Sequence, residues 1–323
     1  MMNKSRRRLI GSLAAVTAPA LPNWAAAQAS YPSKPIRLVH GYGVGTNSDV
    51  IGRLVAAGLR DVLGQPVVMD TMPGAAERIA ARHVIGRPAD GYTLYFMTGG
   101  ANVISATDPQ AGFDTLKDFS YISTVTQFPF ALIVSAASPF RTLGDLLDAA
   151  KKNPGKLNYG IPGLGNTLHL SMEYLKARAG VEIEAIAYQG ASQQIADTVT
   201  GRVDVAVSTL STFNSTLQAG QARALALTSA QRWPLNREIQ IVAEFVPGYE
   251  AMSWLGFAAP AGLPAELADR LAEAIRSVMA RDDVRRQVHT LQAETRTTTP
   301  AAFRSLVEAD FNKWKPLARF VKS

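Results

Sequence analysis

Two glycine-rich loops constrain this chain more than any other feature. GYGVGTNSD at residues 41–49 and GIPGLGNTLH at residues 160–169 each follow a short apolar run and lead into a stretch with helical spacing. Loops of this kind at strand-to-helix junctions belong to open α/β sheets. There, ligands sit beyond the carboxyl ends of the strands, where helix N-termini aim free amides. A single such loop is an ordinary tight turn. A matched pair, one in each half of the chain, predicts two α/β lobes with a ligand cleft between them.

The rest of the pattern agrees. Strand-like runs at residues 36–39, 66–69 and 92–96 alternate with helical spacing over 49–63 and 75–85. The alternation then restarts, with strands at 131–134, 156–160, 184–188, 203–207 and 222–227. Helices over 143–153, 168–179 and 192–200 lie between them. Residues 249–258 cross back, and helical stretches at 264–280 and 300–320, separated by 282–288, close the chain. Strand–helix–strand alternation with short connections predicts mainly parallel sheets. The expected division is residues 28–127 plus 251–323 for one lobe and 128–250 for the other.

The first 27 residues stand outside this scheme. Lys4, Arg6, Arg7 and Arg8 precede a modest apolar stretch, and Ala25-Ala26-Ala27 supplies a small-residue cleavage site. That is a signal peptide pattern, and Ser5-Arg6-Arg7-Arg8-Leu9-Ile10 also suits the twin-arginine variant. Export to the periplasm is therefore expected. Four of the net +7 charges fall in this segment, leaving +3 for the remainder, with no dense basic patch. Nucleic-acid binding is not indicated. With no cysteine in the chain, disulfides and thiolate metal sites are excluded.

Catalytic constellations are sparse. His40 ends a strand, while His83, His169 and His289 fall on separate helical stretches, and no zincin, nucleophile-elbow or P-loop motif occurs. His169 is the one histidine beside a glycine loop. Asp49 has a capping role at the end of the first loop. One enzyme alternative survives: Gly41-x-Gly43-x-x-Thr46, followed by Asp70 in PVVMD, is one residue short of a dinucleotide fingerprint. It would make the chain a periplasmic NAD(P)-dependent oxidoreductase exported in the folded state.

Longer runs carry a resemblance. YPSKPIRLV at 31–39, LGQPVV at 63–68, PGA at 73–75, PADGYTL at 88–94 and KDF at 117–119 look like the N-terminal lobe of one family. NPGKLNY at 153–159, LALTSAQR at 225–232, PGYE at 247–250 and APAG at 259–262 continue the match in the same order. That family is the tripartite tricarboxylate transporter receptors, the Bug-type extracytoplasmic solute-binding proteins. The resemblance implies a two-lobed, non-enzymatic binding protein of type II topology. It would be monomeric, without cofactor or metal, closing on a small organic mono-, di- or tricarboxylate for a membrane permease or a sensor kinase.

The site residues follow from the same resemblance. Gly45, Thr46, Asn47, Ser48 and Asp49 would act from the first loop, with Thr98, Gly99 and Gly100 from the loop after the third strand. Gly163, Gly165, Asn166 and Thr167, with Ser208 and Thr209, would act from the second lobe. The chain departs from the family in three of these places. Ser48 stands for a threonine, Asn166-Thr167 for threonine-serine, and Ser208-Thr209 for an aspartate-asparagine pair. After Pro73-Gly74-Ala75, relatives often read glycine-glycine-asparagine-isoleucine-glycine, whereas this chain has Ala76-Glu77-Arg78-Ile79-Ala80. Arg78 is expected to face solvent.

Overall fold

Residues 31–321 are described by a computed structural model. The signal peptide expected at residues 1–27 lies outside the described residues. Strand β1 (Ile36–His40) runs into the first glycine loop and helix α1 (Asn47–Leu63). Thr46 caps that helix by accepting the Asp49 amide, and Gly64, left-handed at φ 70°, ends it. The face carrying Ile51, Val55 and Leu59 is buried. Next come β2 (Val67–Thr71), α2 (Arg78–Ile85), β3 (Thr93–Thr98), α3 (Gly99–Thr107) and the long β4 (Phe119–Pro129).

The chain then crosses to a second sheet through Phe130. Here β5 (Ala131–Ser135), α4 (Leu143–Lys152), β6 (Asn158–Ile161), α5 (Thr167–Ala179), β7 (Glu184–Ala187) and α6 (Ala191–Val199) follow in order. This part ends with β8 (Val205–Ser208), α7 (Asn214–Gln218) and β9 (Ala222–Leu227). Strand β10 (Met252–Pro260) returns to the first sheet, followed by α8 (Ala265–Met279), α9 (Asp282–Thr290), the short β11 (Glu294–Thr295) and α10 (Pro300–Trp314).

The sheet orders are β11-β4-β10-β3-β1-β2 and β7-β6-β8-β5-β9. This is a two-lobed α/β fold of type II topology, and both sheets are mixed rather than mainly parallel. The βαβ units are parallel as expected, joining β1 to β2 and β3 and joining β6 to β7 and β8. The strands that cross between sheets are the exceptions: β10 lies antiparallel to β3 and β4, and β5 lies antiparallel to β8 and β9. A strand arriving directly from the other lobe has no crossover helix to set its direction.

Each sheet is covered on both faces. Leu38, Ile51, Leu271 and Ile275 fill one side of the first sheet, and Val39, Tyr95, Trp254 and Phe303 fill the other. Leu132, Tyr159 and Leu170 lie on one side of the second sheet, and Ile133, Ala206 and Phe213 on the other. Where the chain crosses, the buried Thr228 fastens both passages. Its hydroxyl accepts from the Phe130 amide at 2.7 Å and donates to the Ala251 carbonyl at 2.6 Å. The two chain crossings thus share one tightly bonded junction, and the lobes also pack together where Val103, Trp314 and Leu317 enter the core of the second sheet.

The expected helix over 75–85 needs correction. Only Arg78–Ile85 is α-helical; Ala75, Ala76 and Glu77 have φ of 46°, 52° and 69°, a left-handed turn. Non-glycine residues rarely adopt that conformation, at a cost of about 1–2 kcal/mol each. Two of these three residues stand where the resemblance has glycines. Helix α3 and strand β4 do not stand out in the sequence. Two glycines open α3, and β4 buries Ser123, Thr124 and Thr126 among its apolar residues.

Candidate functional site

A cavity of about 530 Å³ opens between the two sheets, and both glycine loops contribute to it. Gly45, Thr46, Asn47 and Ser48 line it from the N-terminus of α1, and Thr98 and Gly100 from that of α3. Asn166 and Thr167 face them from the N-terminus of α5, with Thr209 beyond β8. Phe128, Pro129 and Phe130 of the crossing strands form part of the wall. The jaws already meet at one point, where the Asn47 amide donates to the Ser211 hydroxyl across the lobes.

Among the described residues, no charged side chain lines this cavity. What it offers instead is helix geometry. The first amides of a helix have no carbonyl partner within it and carry the positive end of its dipole. In α1 the Asp49 amide is taken by Thr46, and in α5 the His169 amide is taken by Asn166 at 3.0 Å. This leaves the first-turn amides of Asn47, Ser48, Thr167 and Leu168, all cavity-lining residues, for a ligand.

Behind the first jaw, buried groups set its shape. The Asp49 carboxylate accepts from the Gly45 amide and from Arg53, both at 3.0 Å. Burial alone would raise its pKa, but the Arg53 and Gly45 bonds outweigh it and hold the carboxyl below its usual range. His40, fully buried, sits 3.1 Å from the Phe96 carbonyl through Nδ1 and 2.9 Å from Ser48 Oγ through Nε2. A carbonyl only accepts, so Nδ1 carries the proton. Burial depresses the pKa of the ring, so Nε2 is an acceptor at neutral pH and the Ser48 hydroxyl donates inward to it. The Thr46 hydroxyl likewise donates to the Gly43 carbonyl at 2.9 Å.

Glu77 is the second buried acid of this jaw, and it is wholly inaccessible. Tyr95 donates to its Oε2 at 3.0 Å and Thr98 donates to its Oε1. The Tyr42 hydroxyl bonds to it as well. Burial dominates these three bonds and a fourth from the Thr98 backbone amide, and pushes the carboxyl up to about 7. Among the described residues no cation pairs with it.

The second jaw is built differently. Asn166 donates to the carbonyls of Pro162 and Gly163 at 2.7 and 3.1 Å, so its side chain closes the loop as well as capping α5. Gly163 and Gly165 supply the left-handed turns at φ 88° and 75°. Behind them, the Gly165 amide donates to Nδ1 of His169, so the neutral ring carries its proton on Nε2, 3.8 Å from Glu173. Glu173 in turn pairs with Lys176 and accepts from Tyr159, both at 2.6 Å.

Five of the expected site residues lie behind the lining rather than in it. Asp49 and Gly99 are buried in the first lobe, Gly163 and Gly165 shape the second loop, and Ser208 is a buried strand end opposite Ala131. Tyr42, Ser211 and Gln292 line the cavity without having been singled out in the sequence. Arg78 is partly buried in an ion pair with Asp108 and is absent from the lining. The residues of the dinucleotide alternative have other tasks. Asp70 pairs with Arg37 of the neighbouring strand. Gly41 is required by Glu77, whose Cγ would lie 2.6 Å from an added Cβ.

Fold and cavity together define a binding protein of the two-lobed extracytoplasmic class. Residues 51–322 match the model of the tripartite tricarboxylate transporter family receptor, and the chain belongs to that family. A UPF0065 protein from the tcbD-tcbE intergenic region of Pseudomonas sp. strain P51 is 32% identical, covering 89% of this chain and 86% of the relative. Protein BugT of Bordetella pertussis is 26% identical over 90% of both chains. Among solved structures, the R. palustris protein Rpa4515 with adipate is 33% identical. It superposes with a TM-score of 0.77 over 90% of this chain and 98% of its own. Periplasmic binding protein BugD, at 26% identity, gives a TM-score of 0.75 over 90% and 99%.

Proposed function

We propose that the chain captures a small organic carboxylate between its lobes, divided near residues 128 and 250, and presents it to a membrane permease or a sensor kinase. The observation that carries this reading is the pair of opposed helix N-termini, α1 and α5, whose uncapped amides face one cavity free of charged side chains. An anion is favoured there even without arginine. The solved relative that carries adipate supports the same class of ligand. Thr46, Asn47 and Ser48 act from the first jaw with Thr98 and Gly100; Asn166, Thr167 and Thr209 act from the second. Gly45 shapes the first loop with Asp49, while Gly99, Gly163, Gly165 and Ser208 support the surfaces. Ligand closes the lobes only by its differential affinity for the closed form. Binding is the whole activity in this reading, with no catalytic residue, and export places it in the periplasm after cleavage near Ala27.

Titration calorimetry and thermal shift with C4–C6 organic acids test the proposal: at least one acid binds with saturable heat. Folded protein indifferent to the whole panel would remove the reading. Within it, Asn166→Asp keeps the helix cap but places negative charge at the α5 N-terminus, so carboxylate affinity drops about tenfold while stability is retained. Unchanged affinity takes the α5 N-terminus out of the site.

A further inference from the structure

Glu77 belongs to no element that the carboxylate reading uses, yet it lies directly under the cavity wall. Three oxygens surround the bare face of Gly100: Tyr42 Oη, Thr98 Oγ1 and Glu77 Oε1 would lie 2.9, 3.0 and 3.1 Å from a Cβ built there. Tyr42, Thr98 and Gly100 all line the cavity, while Glu77 is sealed behind them. An ionised carboxylate accepts only. The hydroxyls bonded to it must therefore direct their hydrogens inward, and Thr98 also accepts from the Gly100 amide at 3.0 Å. What remains toward the cavity is lone pairs, backed by a negative charge with no cation of its own among the described residues.

We propose that Glu77 is a specificity-determining positioning residue. It fixes the Thr98 and Tyr42 hydroxyls as acceptors, so the ligand group seated against them is a hydrogen-bond donor, an ammonium or a hydroxyl. The ligand is then an amino- or hydroxy-carboxylate rather than an acid with a carboxylate at both ends. This rests on the carboxylate reading and sharpens it. One end of the ligand takes the first-turn amides of α1 and α5, and the other takes the Thr98–Tyr42 corner. A carboxylate in that corner would face acceptor lone pairs and a like charge one hydroxyl away, which disfavours it unless Glu77 binds a proton.

The backbone supports the assignment. Glu77 reaches its place through three consecutive left-handed residues, and Gly41 must lack a side chain to admit it. Strain of this sort persists only where the surrounding structure enforces it. The groups facing Glu77 are uncharged: Tyr42 on the first loop, with the His40 ring 5.7 Å from the Tyr42 ring, Tyr95 and Thr98 on β3, and the backbone of α3. Tyr121 of β4 stands beyond Tyr95. Burial lowers the pKa of His40 from its ordinary value and raises that of Glu77 to about 7, so as the pH falls from 8 Glu77 takes up its proton before His40 does.

The test uses the full mature chain and acids matched in length: succinate, glutarate and adipate against the ω-amino and ω-hydroxy monocarboxylates of the same chain lengths. By calorimetry at pH 8, the best ω-amino or ω-hydroxy acid binds at least about tenfold more tightly than the diacid of its length. That preference narrows as the pH falls to 6 and the diacids bind with proton uptake, read from the buffer dependence of the heat. Glu77→Gln keeps the shape but must donate one N–H to a neighbouring hydroxyl, freeing that hydroxyl's hydrogen for the cavity. Its selectivity ratio falls to near one, whereas a purely structural defect would weaken all ligands alike. Should the variant fail to fold, the pH dependence of wild-type selectivity carries the test. A wild-type protein that binds a diacid as tightly as its amino and hydroxy partners at pH 8 overturns the assignment and leaves the carboxylate reading standing. If no acid of the series binds, the carboxylate reading fails, and the assignment fails with it.

Discussion

Both jaws keep a carboxyl group buried behind a helix N-terminus, and they treat it in opposite ways. Glu173 in the second lobe has Lys176 at 2.6 Å, the Tyr159 hydroxyl at 2.6 Å and His169 at 3.8 Å. Its charge is neutralised locally, and it serves to hold α5 and β6 together. Glu77 in the first lobe has only uncharged partners, the hydroxyls of Tyr42, Tyr95 and Thr98 and the Thr98 backbone amide, and burial pushes it up to about 7. The backbone differs in the same direction. The left-handed turns of the second loop are on Gly163 and Gly165, whereas those before α2 are on Ala75, Ala76 and Glu77. A compensated acid on relaxed backbone is part of the scaffold. An uncompensated acid on strained backbone costs stability, and the cavity beside it is what that acid can influence.

The comparison breaks most visibly if the second acid loses its role. Glu173→Ala strands Lys176 and the Tyr159 hydroxyl in a buried setting and is expected to cost about 3–5 kcal/mol in urea unfolding. A loss below about 1 kcal/mol would show that Glu173 is not a structural ion pair. Glu77 should behave in the reverse sense. Its folded pKa, about 7, lies above the ordinary value of 4.5, so the native state holds the proton more tightly than the unfolded chain. The stability it allows is fully present below about pH 4.5 and is lost as pH rises through about 7, by roughly 3 kcal/mol or slightly more in total. Glu77→Gln removes that slope, so the wild-type-minus-variant difference in unfolding free energy should trend downward from pH 5 to 8. A flat difference would mean that Glu77 is compensated after all.

The smallest effects concern the turns. Gly163→Ala forces φ 88° on a side chain and should destabilise by about 1–2 kcal/mol. Ala76→Gly, at φ 52° and ψ 58°, should stabilise by about 0.5–1 kcal/mol after the entropy of glycine is subtracted. Thermal shifts of opposite sign for the two variants would sharpen the contrast between the loops. Two shifts of the same sign would dissolve it.

Much of the architecture was legible because local signals and global fold agree. Thr46 and Gly64 delimit α1, and the glycine loops sit at strand ends as their spacing requires. The cavity's first-turn residues were legible for the same reason. Sheet direction was less so, because β4, β5 and β10 owe their orientation to crossing between lobes, which no local pattern encodes. Glu77 was hidden by its surroundings. Helical spacing from residue 75 puts a glutamate on a helix face, and only the backbone conformation turns it inward. The one available sign was alanine and glutamate where the family pattern has glycines. Ser211 and Gln292 enter the cavity through loop geometry, which leaves no periodic trace.

The most direct test of the two-jaw account is a crystal structure of the complex with whichever matched acid stabilises the protein most. The account predicts a carboxylate within hydrogen-bond distance of the first-turn amides at Asn47–Ser48 or Thr167–Leu168, and a donor group against Thr98 and Tyr42. A carboxylate seated on Thr98 and Tyr42, or a ligand bound outside the cavity between the lobes, would contradict it.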